Sequence, residues 1–269
     1  MASGARLARS FLAVLLFLPT PIAAALAAVD SGSFERGGEF AYRQALKPAA
    51  EAKRMNDNPA TVARVRRVMA RLLAVAPAIE PSARNLSWAV NVVSVDDADV
   101  FVYPGGRFLV HDALVDKSGL TDDELSAILA HATAHVLLGH DSARIDASAA
   151  SIAASPDPNR EMLAVAAATA KAVRGRYSTA ALEAADRTAL VLMARAAYDP
   201  RAAGSAWRRL ARAGRGYVER APVNEARLAA IDASVRAVMP MFEAARASVE
   251  AQSQAPMPAI TGPAGKPVR

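Results

Sequence analysis

Apolar residues recur at helical spacing along most of this chain. After Asn58-Pro59, the residues Val62, Val65, Val68, Met69, Leu72 and Leu73 keep a period near 3.6. Asn58 suits an N-cap and Pro59 the first helical position, while Pro77 and Pro81 stop the helix. The pattern then changes. Leu86, Trp88, Val90 and Val92 alternate with Ser87, Ala89 and Asn91, which predicts a strand within 86–95. A second strand is predicted from Asp99 to Tyr103, a turn at Pro104-Gly105-Gly106, and a third strand from Arg107 to His111. These make a small antiparallel sheet.

Helical spacing returns after Thr121-Asp122-Asp123-Glu124, whose order is that of a capping box. The helix it opens carries Leu125, Ile128, Leu129, Val136 and Leu137 and ends near Gly139. Further helices are predicted at 160–174, 178–197 and 200–213, with Tyr198-Asp199-Pro200 as a corner, and a last one from Asn224 to Ala251. Residues 29–58, which include Gly37-Gly38, read as turn-rich, and 147–158 read as a loop. There is no internal repeat. One sheet segment among helices predicts a single α+β domain.

The ends of the chain read differently. Arg6 and Arg9 precede the apolar run Phe11 to Leu18, and small residues follow from Ala23 to Ala28. This is the order of a secretory signal over 1–27, leaving a mature chain without a transmembrane segment and destined for the periplasm. Pro256, Pro258, Pro263 and Pro267 mark 251–269 as a disordered tail, so the folded domain is placed at 28–250.

Composition narrows the chemistry. Of 269 residues, 53% are hydrophobic and 22% charged, which excludes whole-chain disorder. The absence of cysteine excludes disulfides, thiolate catalysis and Cys-ligated metal. The net charge of +6 is spread along the chain without aromatic–basic interleaving, so nucleic acid is not an expected partner.

Three of the four histidines lie within ten residues: His131-Ala132-Thr133-Ala134-His135, then His140. His131 and His135, at i and i+4, project from one helix face, the spacing of the two metal ligands in H-E-x-x-H. Val92 to His111, Thr121 to His140 and Ser178 to Pro200 together resemble the gluzincin metallopeptidases of peptidase family forty-eight, the HtpX- and BepA-like group. The resemblance implies a mostly helical, zincin-like metallopeptidase domain.

It also implies positions for the catalytic groups, and here the chain departs from the pattern. Zinc in such a site is held by two His and one Glu, and the Glu of H-E-x-x-H takes the proton of the metal-bound water. Ala132 stands at the base position, so no catalytic base is present there. Leu182 stands at the third-ligand position, four residues before Asp186. Ala221-Pro222 replaces the family's His-Pro pair, and Asp99 replaces an Asn.

His131 and His135 remain candidate metal ligands. Asp186 is either a substitute ligand or the group that holds a ligand His by a hydrogen bond; an Asp186–Arg187 ion pair is the alternative. His140, nine residues after His131 on a continuing helix, would face the other way and serve as a polar contact at the helix end. His111 reads as structural.

Zinc is thus expected to be weakly held or absent. The implied function is that of an exported, catalytically impaired pseudopeptidase that binds protein or peptide clients of the cell envelope in quality control or assembly. Arg107, Phe108, Leu109, Val110 and His111 form the candidate peptide-binding edge. The alternative is an active zinc metalloendopeptidase using Glu183 or Asp186 as third ligand and Glu124 as base.

Overall fold

The helix Asp122–Leu137 is buried along nearly its whole length, polar residues included. A helix apolar on all sides must sit between other elements. Thr121 caps it: its hydroxyl accepts from the Glu124 backbone N–H, and the Glu124 carboxylate accepts from the Thr121 N–H at 2.9 Å.

The computed structural model describes residues 31–149, 157–214 and 216–254. In chain order the helices are α1 (Ser31–Glu51), α2 (Pro59–Val75), α3 (Ala113–Asp116), α4 (Asp122–Leu137), α5 (His140–Ala149), α6 (Pro158–Ala172), α7 (Thr179–Arg195), α8 (Ala202–Ala213), α9 (Tyr217–Arg220) and α10 (Glu225–Gln254). The strands are β1 (Ala89–Val93), β2 (Val100–Tyr103) and β3 (Arg107–His111). Helix α4 packs against α7, α8, α2 and β2, and α10 closes over α7. Among the described residues no helix is long and apolar enough to cross a membrane.

The sheet corrects the expected topology. Its order is β1-β3-β2, with β1 parallel to β3 and β2 antiparallel to it, so the sheet is mixed. Strand β3 is therefore the middle strand. Arg107, Phe108, Leu109, Val110 and His111 are paired on both sides and offer no free edge for a peptide. The connection between β1 and β2 carries the chain past the position that β3 fills, which adjacent-strand pairing from sequence does not anticipate.

Helix α1 is the second correction. The segment read as turn-rich is a helix of 21 residues. Ala41, Tyr42 and Leu46 from it cover one face of the sheet with Val93, Tyr103 and Leu109. Val92, Val100, Val102, Phe108 and Val110 point the other way, into the core around α2 and α4. Gly37 and Gly38 sit inside α1 because neighbours come too close for side chains. A Cβ on Gly37 would lie 2.6 Å from Val165 Cβ, and one on Gly38 would lie 2.4 Å from Pro104 Cβ.

Two boundaries also move. Helix α5 takes in 147–149, the start of the expected loop, and α10 continues to Gln254, through the first residues of the expected tail. The expected signal segment 1–27, the remainder of the expected loop at 150–156 and the expected tail from 255 onward lie outside the described residues.

Candidate metal centre

Helix α4 aims His131 and His135 inward, where both are fully buried. Their Nε2 atoms are 3.1 Å apart. Two imidazoles bound tetrahedrally to one zinc ion at about 2.0–2.1 Å would hold their nitrogens at a similar separation. The pair therefore fits two coordination positions.

The third position has no donor. Leu182 is buried in the core at the place implied for the ligand Glu, and Ala132 presents a methyl group at the base position. Glu183 is exposed on the outer side of α7, so it does not reach the histidines. Glu124, the alternative base, is engaged elsewhere: its carboxylate accepts from Thr121, from the Ser205 hydroxyl at 2.8 Å and from Arg209 Nε at 2.8 Å. Among the described residues no three His, Cys, Asp or Glu side chains converge to hold a metal ion. The donor set is one short of the three protein ligands of a catalytic zinc site.

Asp186 stands behind His131, on the side away from His135. Its Oδ1 is 2.7 Å from His131 Nδ1, in a bent contact rather than a straight N–H···O bond. A fork from Arg227 holds the same carboxylate, with Nε to Oδ2 at 2.7 Å and Nη2 to Oδ1 at 2.8 Å. Burial raises the Asp186 pKa, but the bonds from Arg227 and His131 outweigh it and hold it at about 2. Asp186 thus orients and neutralises, and does not replace the missing ligand. The expected pair with Arg187 does not form; Arg187 is exposed and the partner is Arg227.

His140 also departs from the expectation. Gly139 takes a left-handed backbone, with φ of +65°, and breaks the helix before His140. The chain turns back, and His140 Nδ1 comes to 2.8 Å from His135 Nδ1. Only an unbroken helix would turn His140 to the opposite face. His140 is a polar contact at the helix end, as expected, but it is directed at His135, a candidate ligand, and not away from it.

Proton counting then fixes the arrangement of the neutral rings, each with one N–H. With Asp186 ionised, His131 turns its Nδ1–H toward the carboxylate. His135 donates from Nε2 to His131 Nε2, and His140 donates from Nδ1 to His135 Nδ1. Desolvation lowers the pKa of all three histidines, which favours these neutral forms. In the metal-free protein a proton bridges the two Nε2 atoms that would otherwise face one ion.

Aromatic rings pack around the pair. Tyr177 stacks on His135 at 3.6 Å between centroids, and Trp207 meets His131 edge-on at 5.0 Å. The Tyr177 hydroxyl donates to Asp141 Oδ1 at 2.8 Å. Arg227 covers the Trp207 ring at 4.1 Å and donates to the carbonyl of Ala221, the buried residue at the accessory-His position. Sequence reasoning missed Arg227, Tyr177 and Trp207. An Arg 41 residues from Asp186 on another helix carries no local signal of that pairing.

Asp99 forms a buried ion pair with Arg220 of α9. Arg220 Nη2 also donates to the Val100 carbonyl at 2.7 Å, and Val100 N–H is taken by the Asp99 carboxylate. In the ladder with β3, Val100 and Val102 turn their peptide groups outward. Arg220 and Asp99 therefore cap the free edge of β2 at Val100. His111 Nδ1 lies 2.9 Å from the Asp97 carbonyl, and its ring packs on Phe101.

The mitochondrial metalloendopeptidase OMA1 of Schizosaccharomyces pombe (strain 972 / ATCC 24843) is similar, with 26% identity over 189 residues, 65% of this chain and 51% of that protein. The chain thus spans about half the length of that relative. Residues 59–235 match the model of peptidase family M48, more than half of the chain and the whole of the site just described, and the chain belongs to that family.

Proposed function

We propose that this protein is an exported member of the family that has lost ordinary peptidase activity and binds extended segments of cell-envelope proteins in the periplasm, in quality control or assembly. One observation carries the reading: Ala132 and Leu182 stand where proton transfer and metal binding need carboxylates, and among the described residues no acid turns in to complete a metal site. Loss of a general base typically costs about 10²–10⁴ in rate. The missing ligand lowers metal occupancy as well.

The client-binding surface is assigned to the outer edge of β2, not to β3. At Val102 this edge adjoins a cavity of about 720 Å³ that also reaches His135. An added strand would gain main-chain hydrogen bonds there without any bond being cut.

The test compares the purified protein with a His131→Ala/His135→Ala variant. Zinc content is read by elemental analysis and cleavage of an unfolded casein substrate by gel. The expected result is substoichiometric zinc and no cleavage that a chelator abolishes. Near-stoichiometric zinc with chelator-sensitive cleavage, both lost in the variant, would overturn the reading in favour of an active metalloendopeptidase.

A further inference from the structure

The cavity beside Val102 holds a feature that the metal-site geometry does not use. Asp141, the second residue of α5, lines it and is only 6% exposed. Its Oδ1 accepts from the Tyr177 hydroxyl and forms a long ion pair with Arg144, Nη1 at 3.5 Å, which leaves Oδ2 without a donor. Its Oδ2 is buried and has no hydrogen-bond partner. A buried carboxylate oxygen left unmet is rare, because desolvating it costs free energy that only a donor recovers.

The rest of the lining gives that donor a character. Glu35 and Glu80 also face the cavity, and no Lys or Arg lines it among the described residues. Arg107 answers Glu35 at 2.6 Å. The Ser82 backbone N–H donates to Glu80 and helps keep it ionised. Phe34, Leu86, Leu137 and Leu138 give the cavity apolar walls. Carboxylates at the rim and interior with apolar walls between them suit a long side chain that is aliphatic along its stem and cationic at its tip. Among the described residues no set of donors that would make a metal site converges here.

We infer that this cavity receives an arginine or lysine side chain of the bound polypeptide, with Asp141 as the carboxylate that selects it. The inference rests on the proposed client binding along β2 and names its specificity. Because Arg220 and Asp99 cap the edge at Val100, an added strand engages at Val102, next to the cavity mouth. Its side chain directed past Tyr103 and Pro104 enters the cavity, and the cation meets Asp141 Oδ2. Burial alone raises the Asp141 pKa; a cation arriving there reverses that tendency.

The experiment uses fluorescent nonapeptide pools, random except for a central Arg, Lys, citrulline or Glu. Each is titrated with the purified protein and read by anisotropy. The Arg and Lys pools are expected to bind about tenfold or more tightly than the citrulline pool, which has nearly the shape of Arg without its charge. The Glu pool should bind most weakly. Asp141→Asn should bring the Arg-to-citrulline ratio close to one.

Equal binding of Arg and citrulline pools by the unaltered protein would overturn the cation pocket and leave client binding standing. An Arg preference that survives Asp141→Asn in a folded variant would overturn the role of Asp141. No binding of any pool would overturn both readings. If Asp141→Asn does not fold, the comparison of pools on the unaltered protein still decides.

Discussion

Single side chains decide what the α4 site can do. Two imidazoles at 3.1 Å are ready to share an ion, and a leucine and an alanine withhold the other groups that the chemistry requires. Restoring those groups tests the account. Ala132→Glu plus Leu182→Glu should raise bound zinc toward one ion per chain, and added zinc should raise the Tm of this variant more than that of the unaltered protein. Its proteolysis should stay low, because Ala221 still occupies the accessory position and Tyr177 still lies on His135. Zinc analysis, thermal unfolding with and without chelator, and a casein assay read the three parts separately. Arg227→Ala tests the support behind the site. It removes the fork on Asp186 and leaves a buried carboxylate beside His131, so urea unfolding should show a loss of about 3–5 kcal/mol. The placement of His131, His135, Ala132 and Leu182 on two facing helices was legible in the sequence because their spacing follows a recognisable motif. Arg227 was not, because its partner is fixed by how α10 packs on α7.

At the level of elements, local signals read well and conflicting ones did not. The caps of α2 and α4 stand where Asn58 and Thr121 predicted them. Helix α1 was hidden because Gly37 and Gly38 weaken helix propensity, while their purpose is close contact with α6 and with Pro104. The reversal at Gly139 was read correctly as a helix end, but its effect on His140 depended on the angle at which α5 leaves. Substitutions at two glycines separate these causes. Gly37→Ala forces a methyl against Val165 and the Met162 carbonyl, and should cost about 1–3 kcal/mol in chemical denaturation. Gly139→Ala meets no neighbouring atom within 4 Å and should cost only the left-handed backbone penalty, about 1–2 kcal/mol. Gly139→Asn, which tolerates that backbone better, should lose less than Gly139→Ala. Equal losses for both would indicate that the α4–α5 turn relaxes.

Across the whole molecule, the sequence disclosed the class of fold but not the sheet order. Nothing in Arg107 to His111 distinguishes a middle strand from an edge strand, since side-chain alternation reports which faces are covered and not which edges are paired. The folded molecule also buries its titratable groups together, and this gives it a pH dependence that no single element shows. His131 and His135 are buried neutral, with desolvation holding their pKa below the ordinary value near 6.5. The unfolded chain therefore binds more protons than the folded one below that value. Their contribution to stability is complete above pH 6.5 and is lost as the pH falls below it, by roughly 1.4 kcal/mol per pH unit for each ring. Asp186, held at about 2, changes little until far more acidic conditions. Asp99 and Asp141 have raised pKa values, so their protonation opposes the histidine effect only toward the acid end of the range. Urea unfolding at pH 7.5, 6.5 and 5.5 in chelator-treated buffer should show stability nearly flat over the first interval and falling over the second. The chelator matters because a bound metal would itself be released by acid. His135→Gln should lower stability at pH 7.5 but flatten the fall between pH 6.5 and 5.5. An equally steep fall in that variant would mean that other groups carry the acid sensitivity, and that the chain of neutral rings from Asp186 to His140 is not the form the protein adopts.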